Sequence, residues 1–280
     1  ITWAKVWAAG GGSKAGRGNP PDGTPPPGLD WDMWLGPAPK VAFNQNRWGV
    51  DGRSFPTFRY FWDYAGGEMT DWGIHYIDPV HQFLGEPIVQ SVVALGGRKW
   101  FTDNLQTADT MAASFEYPKF MMNYELRQSS PVPLMGQGGA TAILGTEGSV
   151  VVTRGGAWLN PIVRQGFPGG PTPPPAKFEA QEFHPPRPAR PATPPTPGAP
   201  NLPPEASDHW KNFIECVRTR QRPVADIEYL VRSTASCLLA NVSMRARVRC
   251  DLDPNTLQVK QPEAREFTRI RYRSPWKLEV

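Results

Sequence analysis

The stretch "TMAASFEYPKFMMNYELRQ" at residues 110–128 constrains the fold more than any other part of the chain. Two runs with apolar residues at every second position flank a Tyr-Pro-Lys turn, which is the pattern of a β-hairpin. A second hairpin is expected in "TAILGTEGSVVVT" at 141–153, where Gly145 and Gly148 supply the backbone freedom of the connection. The β-branched run "IVQSVVALGG" at 88–97 and the apolar segment 2–9 read as further strands. Short antiparallel strands in succession predict one large, open, mostly antiparallel sheet.

Helical periodicity returns near the C-terminus. In "SDHWKNFIECVRTRQRP" Ser207 or Asp208 is placed to cap, and Trp210, Phe213, Ile214 and Val217 follow i, i+3, i+4, i+7 spacing up to Pro223. A second helix is expected over 225–246, burying Ile227, Leu230, Val231, Thr234, Leu238 and Asn241. The class is therefore α+β, an α/β domain whose helices cover one face of the sheet. The tail from Arg265 begins with alternation and is expected to close against the body.

Residues 168–204 hold fifteen of the 33 prolines. That density disfavours helix and ladder alike, so the segment reads as an extended excursion, a surface loop or a docking arm. Residues 10–48 are rich in Gly, Pro and Trp without steady periodicity, and "LDWDMWLGPAPK" reads as an ordered loop packed through its tryptophans.

Composition excludes several classes. A formal charge of +4 over 280 residues is mild, and the basic C-terminal runs are broken by aromatic and acidic residues. No nucleic-acid partner is expected. Three cysteines without C-x-x-C spacing make neither a disulfide framework nor a structural zinc site. No apolar run reaches the length of about 18 residues that a membrane helix needs, so no membrane partner is expected.

Gly10, Gly12 and Ala15 fit G-x-G-x-x-A after a strand, the spacing of a dinucleotide fingerprint. The helix that must follow is blocked by "GRGNPPDGTPPPG", so the spacing is a decoy. The stronger candidate is "GGEMTDWGIHYIDPV" at 66–80, where Asp71, His75 and Asp78 fall on one helical face. A carboxylate one turn before a histidine can orient the imidazole and raise its basicity, and such a histidine can take a hydroxyl proton. The same spacing also arises on plain solvated helices. A metal site would need Asp78 or His81 as a further ligand, without the support of H-E-x-x-H or a cysteine cluster. Pro79 should kink the helix or start a new one capped by Asp78. Upstream, Phe58, Tyr60, Phe61, Trp62 and Tyr64, with Arg59 and Asp63, have the composition of a polyol-binding wall. Packing is the expected role of most of these rings.

These blocks resemble one family. "WLGPAPK", "FNQNR" and "FRYFWDYAGGEMTDWGIHYID", followed by "GTEGSVVV", "HWKNFIECVRTRQRPVADIEYLVRSTASCLLANVSMRA" and "YRSPWKL", are similar in order and kind to the Gfo/Idh/MocA oxidoreductases. The resemblance covers nearly all of the chain except the proline-rich excursion. It implies a C-terminal substrate and oligomerisation domain spanning 1–280, with homo-oligomer contacts through the open sheet face. It also implies an N-terminal domain holding NAD or NADP, which is absent from these residues along with its E-K-P lysine. By the same resemblance Asp71 and His75 are the catalytic pair, with His75 moving the proton. Arg59, Trp62 and Asp78 fall in the block expected near a sugar or polyol substrate. A non-catalytic sugar-binding or oligomerisation module is the competing expectation, and a metal-dependent hydrolase using Asp71, His75 and His81 a third.

Overall fold

The computed structural model describes residues 1–49, 56–85, 88–162, 169–170, 172, 176, 179–183 and 204–277, the side chains of 204–208 excepted. The first strand, β1, runs Trp3–Ala9. The loop region that follows holds the two-residue pair β2 (Asp22–Gly23) and β3 (Phe43–Asn44) and the short helices α1 (Trp31–Leu35) and α2 (Gln45–Trp48). A 3-10 turn at Thr57–Tyr60 leads to the long helix α3, Glu68–Leu84. Then come β4 (Ser91–Gly97), β5 (Thr110–Glu116), β6 (Met121–Arg127), β7 (Gly139–Leu144), β8 (Gly148–Thr153), β9 (Gly156–Pro161) and β10 (Gln181–Phe183). Helices α4 (Pro204–Thr219) and α5 (Ile227–Ala246), strand β11 (Cys250–Asp251) and a 3-10 turn at Pro262–Thr268 complete the chain.

Nine strands form one sheet in the order β10-β9-β8-β7-β1-β6-β5-β4-β11. Both expected hairpins are present as β5–β6 and β7–β8. The segment 2–9 sits in the middle of the sheet, antiparallel to β7 and parallel to β6. The sheet is thus mixed, with β1–β6 its single parallel pairing among the described residues.

Alternation along the central strands separates the two faces. Val6, Met111, Phe115, Met122, Tyr124 and Leu126 point to one side and join Ile77 and Val80 of α3 and Leu239 and Ala240 of α5 in the main core. On the other side Trp7, Ala140, Ala142 and Val151 form a small second cluster, with the Trp7 indole N–H donating to the Gln137 carbonyl at 2.8 Å. Beyond that cluster the second face stays open, and Val93 and Leu95 of β4 are exposed on it. Helices on one face and an open sheet on the other match the expected architecture.

Several local expectations differ from what is found. The apolar stripe of α5 was expected to face inward. Instead Ile227, Leu230, Val231, Thr234 and Leu238 are exposed, and of the expected set only Asn241 is buried. The buried side of α5 is rich in small residues, Ser233, Ser236, Cys237, Ala240 and Ser243, which stand beside Leu239, Asn241 and Val242. The small residues let α5 lie close to α3 and the sheet, where large side chains would hold it off. Helix α4 begins at Pro204, ahead of the expected cap at Ser207 or Asp208, whose side chains lie outside the described residues. Its stripe of Trp210, Phe213, Ile214 and Val217 is between 46% and 56% exposed. The tail from Arg265 forms no strand and is exposed at nearly every described position, touching the body where Phe267 packs partly against the core and Arg273 pairs with Asp32 at 3.2 Å.

Most of the proline-rich segment falls outside the described residues. Its proline-free triplet Gln181–Phe183 keeps its backbone N–H groups and pairs with β9 as an edge strand. The tryptophan loop is ordered as expected. Trp31 stacks on Trp34 at 4.7 Å, and Trp34 meets Phe58 and Tyr64 edge-on. Among the described residues no helix is long and apolar enough to cross a membrane.

Candidate active site

Helix α3 carries the candidate pair, and its start is set by glycine. Gly67 stands at the N-cap with φ +65, and a Cβ there would run into Thr107. Glu68 and Asp71 occupy the first turn, where carboxylates interact favourably with the helix dipole. Met69, Gly73, Ile77 and Val80 face the core. That leaves Asp71 and His75 on the outward side, consistent with the 3.6-residue period. Gly73 does not open a space, because it is buried with the Tyr124 ring hydroxyl 3.4 Å from where a Cβ would stand.

Two flanks hold α3 in place. Toward α5, the Ser233 hydroxyl donates to Asp78 Oδ1 at 2.8 Å. Ser233 Oγ must then accept from the Nδ1 proton of the fully buried His81, also at 2.8 Å. His81 Nε2 is left to accept from the Tyr117 hydroxyl at 2.8 Å. Burial pushes the His81 pKa down to about 4 against a partly compensating Asp78. Further along, Asn241 Nδ2 donates to the Gly66 carbonyl at 2.9 Å. On the opposite flank Thr141 of β7 donates to the Tyr76 carbonyl.

Pro79 lies inside α3, which runs on as one helix to Leu84 rather than restarting there. Asp78 therefore keeps its place on the side of Asp71 and His75. Its carboxylate is engaged by Ser233 and by Gln82 Nε2.

The Asp71 carboxylate faces Arg59, whose Nε lies 3.5 Å from Oδ2 in an ion pair. No hydrogen bond joins Asp71 to His75 among the described residues. The His75 ring is exposed and sits edge-on to the Trp72 indole at 5.8 Å. Partial burial lowers the His75 pKa, and the Arg154 guanidinium lowers it further, against opposing contributions from Asp71 and Asp78. Arg154, at the β8–β9 turn, places its guanidinium 4.8 Å from the centre of the Trp72 ring. Trp72 also stacks on Tyr76 at 5.9 Å.

The structure thus brings together Asp71, Arg59 and His75, and adds Trp72, Tyr76 and Arg154 around the histidine. Trp62 lies under Arg245 of α5 at 4.5 Å, and no hydrogen bond, ion pair or ring contact links it to Asp71 or His75 among the described residues. The neighbouring rings pack as expected, with Tyr60 and Phe61 buried beside Leu105. Tyr60 donates to the buried Glu68 at 2.7 Å, and burial raises the Glu68 pKa. Arg154 has no signal in its own segment, because nothing in "TRGGAW" marks a residue that reaches α3 from a distant hairpin.

Two of the clefts on the described body are lined by residues other than the pair. One of about 650 Å³ is lined by Glu116, Arg249, Asp251 and Lys260, and one of about 520 Å³ by Arg17, Asn46, Gly49 and Thr57. His75 instead looks out from an open surface. No group of three or more His, Cys, Asp or Glu is arranged to hold a metal among the described residues.

Residues 4–106 match the family model described as oxidoreductase family, C-terminal alpha/beta domain, of the GFO_IDH_MocA group. Over those residues the chain is similar to the C-terminal alpha/beta domain of the Gfo/Idh/MocA oxidoreductases. Solved structures of similar fold include an aldose-aldose oxidoreductase from Caulobacter crescentus complexed with glycerol. It is 12% identical at a TM-score of 0.51, over 90% of this chain and 56% of that one. The WlbA dehydrogenase from Bordetella pertussis, in complex with NADH and UDP-GlcNAcA, is 18% identical at a TM-score of 0.48, over 90% of this chain and 55% of that one. The chain therefore spans about half the length of the solved structures it matches. No curated protein matches it.

The resemblance to the Gfo/Idh/MocA oxidoreductases implies a nicotinamide dinucleotide. Gly10, Gly12 and Ala15 enter a turn, and no helix starts before Trp31. A pyrophosphate needs the backbone N–H groups of a helix N-terminus close behind the glycines. The described residues do not fit a dinucleotide.

Proposed function

We propose that this chain is the substrate domain of an oxidoreductase acting on the CH–OH group of a sugar, polyol or derivative. His75 accepts the hydroxyl proton on oxidation and returns it on reduction. The observation that carries the reading is the exposed His75 imidazole one turn after Asp71 on an open helix face, in the stretch that matches the Gfo/Idh/MocA C-terminal domain model. A neutral imidazole is the form that takes a proton, and the lowering of the His75 pKa by partial burial and Arg154 favours that form. Asp71, fixed by Arg59, contributes a negative charge one turn away that favours the imidazolium once it forms.

The chain accounts for the proton and not for the hydride. The reading requires an NAD or NADP acceptor held by a dinucleotide-binding domain outside these residues. It also assigns the open sheet face, with Val93 and Leu95 exposed, to contacts between copies of the protein. The test is nicotinamide reduction, followed by absorbance, by the polypeptide that joins this chain to its dinucleotide-binding domain. A panel of aldoses, uronic acids and polyols is offered as substrate. Turnover of at least one member is expected. Failure of every member, with the nucleotide demonstrably bound, would sink the proposal.

A further inference from the structure

Arg154 stands beside the candidate site without a role in the proton chemistry. It comes from the β8–β9 turn and lies over the indole of Trp72, the same ring that His75 meets edge-on. Several other arginines of this body are matched by carboxylates. Arg47 pairs with Asp63 at 2.6 Å, Arg59 with Asp71 at 3.5 Å, and Arg127 with Glu125 at 2.5 Å. Among the described residues no carboxylate lies within salt-bridge distance of Arg154, and its side chain is exposed. Stacking on an indole uses the face of a guanidinium. A guanidinium used in this way keeps its in-plane N–H donors available, in the fork that matches a carboxylate or a phosphate. The stack also fixes the long side chain in advance, so less freedom is lost when an anion arrives.

We propose that Arg154 sets substrate specificity by gripping an anionic group, a carboxylate or a phosphate, on a sugar or polyol whose reacting hydroxyl lies at His75. This rests on the proposed role of His75. Trp72 supplies the geometry, because one indole contacts both the cation and the histidine. The guanidinium lies 4.8 Å and the imidazole 5.8 Å from the centre of the Trp72 ring, which brings the two within about 11 Å of each other.

Two measurements on the 280-residue chain test this without turnover. The first is equilibrium binding of D-glucose, D-glucuronate and D-glucose 6-phosphate to the wild type, Arg154→Ala and Arg154→Lys. Wild type is expected to bind at least one anionic sugar about 10-fold or more tighter than glucose. Arg154→Ala should abolish that preference, and Arg154→Lys should retain part of it. Comparing glucuronate with glucose 6-phosphate separates a carboxylate from a phosphate. The second is an NMR titration of the His75 ring with and without inorganic phosphate. An anion on Arg154 offsets the cation beside His75, so phosphate should raise the histidine pKa in wild type and leave it unmoved in Arg154→Ala. Equal or undetectable binding of the three sugars, an anion preference that survives Arg154→Ala, or the same phosphate effect in both proteins would overturn the proposal. A failure here leaves the His75 assignment standing, because that is read from nicotinamide reduction.

Discussion

Mild acid should destabilise this protein through one side chain, His81. The residue is fully buried between α3 and α5, with both ring nitrogens engaged by hydroxyls. Its pKa is about 4 in the folded chain against 6.5 as the ordinary value. Between those limits the unfolded chain binds a proton that the native chain does not, so stability falls as pH drops. The full stability is present above the unfolded value, and the loss is complete only below the folded one. A separation of this size corresponds to roughly 3 kcal/mol in total, of which about 2 kcal/mol is gone by about pH 5. That is a large share of a typical domain's stability of about 5–15 kcal/mol. The assay is urea unfolding at a series of pH values between neutrality and the acid limb, for wild type and His81→Gln. Glutamine removes the titration and keeps a polar group at the site, at a fixed cost of about 1–3 kcal/mol for imperfect hydrogen bonding. The difference between the two proteins should shrink steadily as pH falls through the window. A difference that stays constant across it would refute the reasoning, because His81 would then titrate alike in both states.

Two further perturbations address how α3 is placed. Asn241→Ala removes the donor to the Gly66 carbonyl and should cost about 1–3 kcal/mol in the same unfolding assay; no measurable loss would show that water replaces the amide. Gly67→Ala combines a positive φ with a collision against Thr107, so a destabilisation above about 1 kcal/mol is expected. Amide exchange should then report faster opening at the start of α3.

The sheet was legible because its information is local. Period-two alternation and a Tyr-Pro-Lys or Gly-flanked turn specify a hairpin within twenty residues or so, and both such segments folded as read. The face of α5 was not legible, because inwardness there is decided by spacing rather than by size. Ser233, Cys237 and Ala240 are inside since α3 and the sheet come close, and Leu238 is left outside. The same limit applies to the candidate site. Spacing on one helix placed Asp71 and His75 together on the outward face. It could not show that Arg59 rather than His75 engages Asp71, nor that Asp78 is occupied by Ser233 of a distant helix. Arg154 reaches the site only because β8 and β9 lie beside β7 in the sheet, which is a property of strand order.

The most direct test of the account is turnover of His75→Ala in the polypeptide that includes the dinucleotide-binding domain, with nicotinamide affinity measured alongside. A lost general base costs about 10²–10⁴-fold in rate. The account predicts a fall of kcat in that range with cofactor binding unchanged; wild-type kcat in the variant would contradict it.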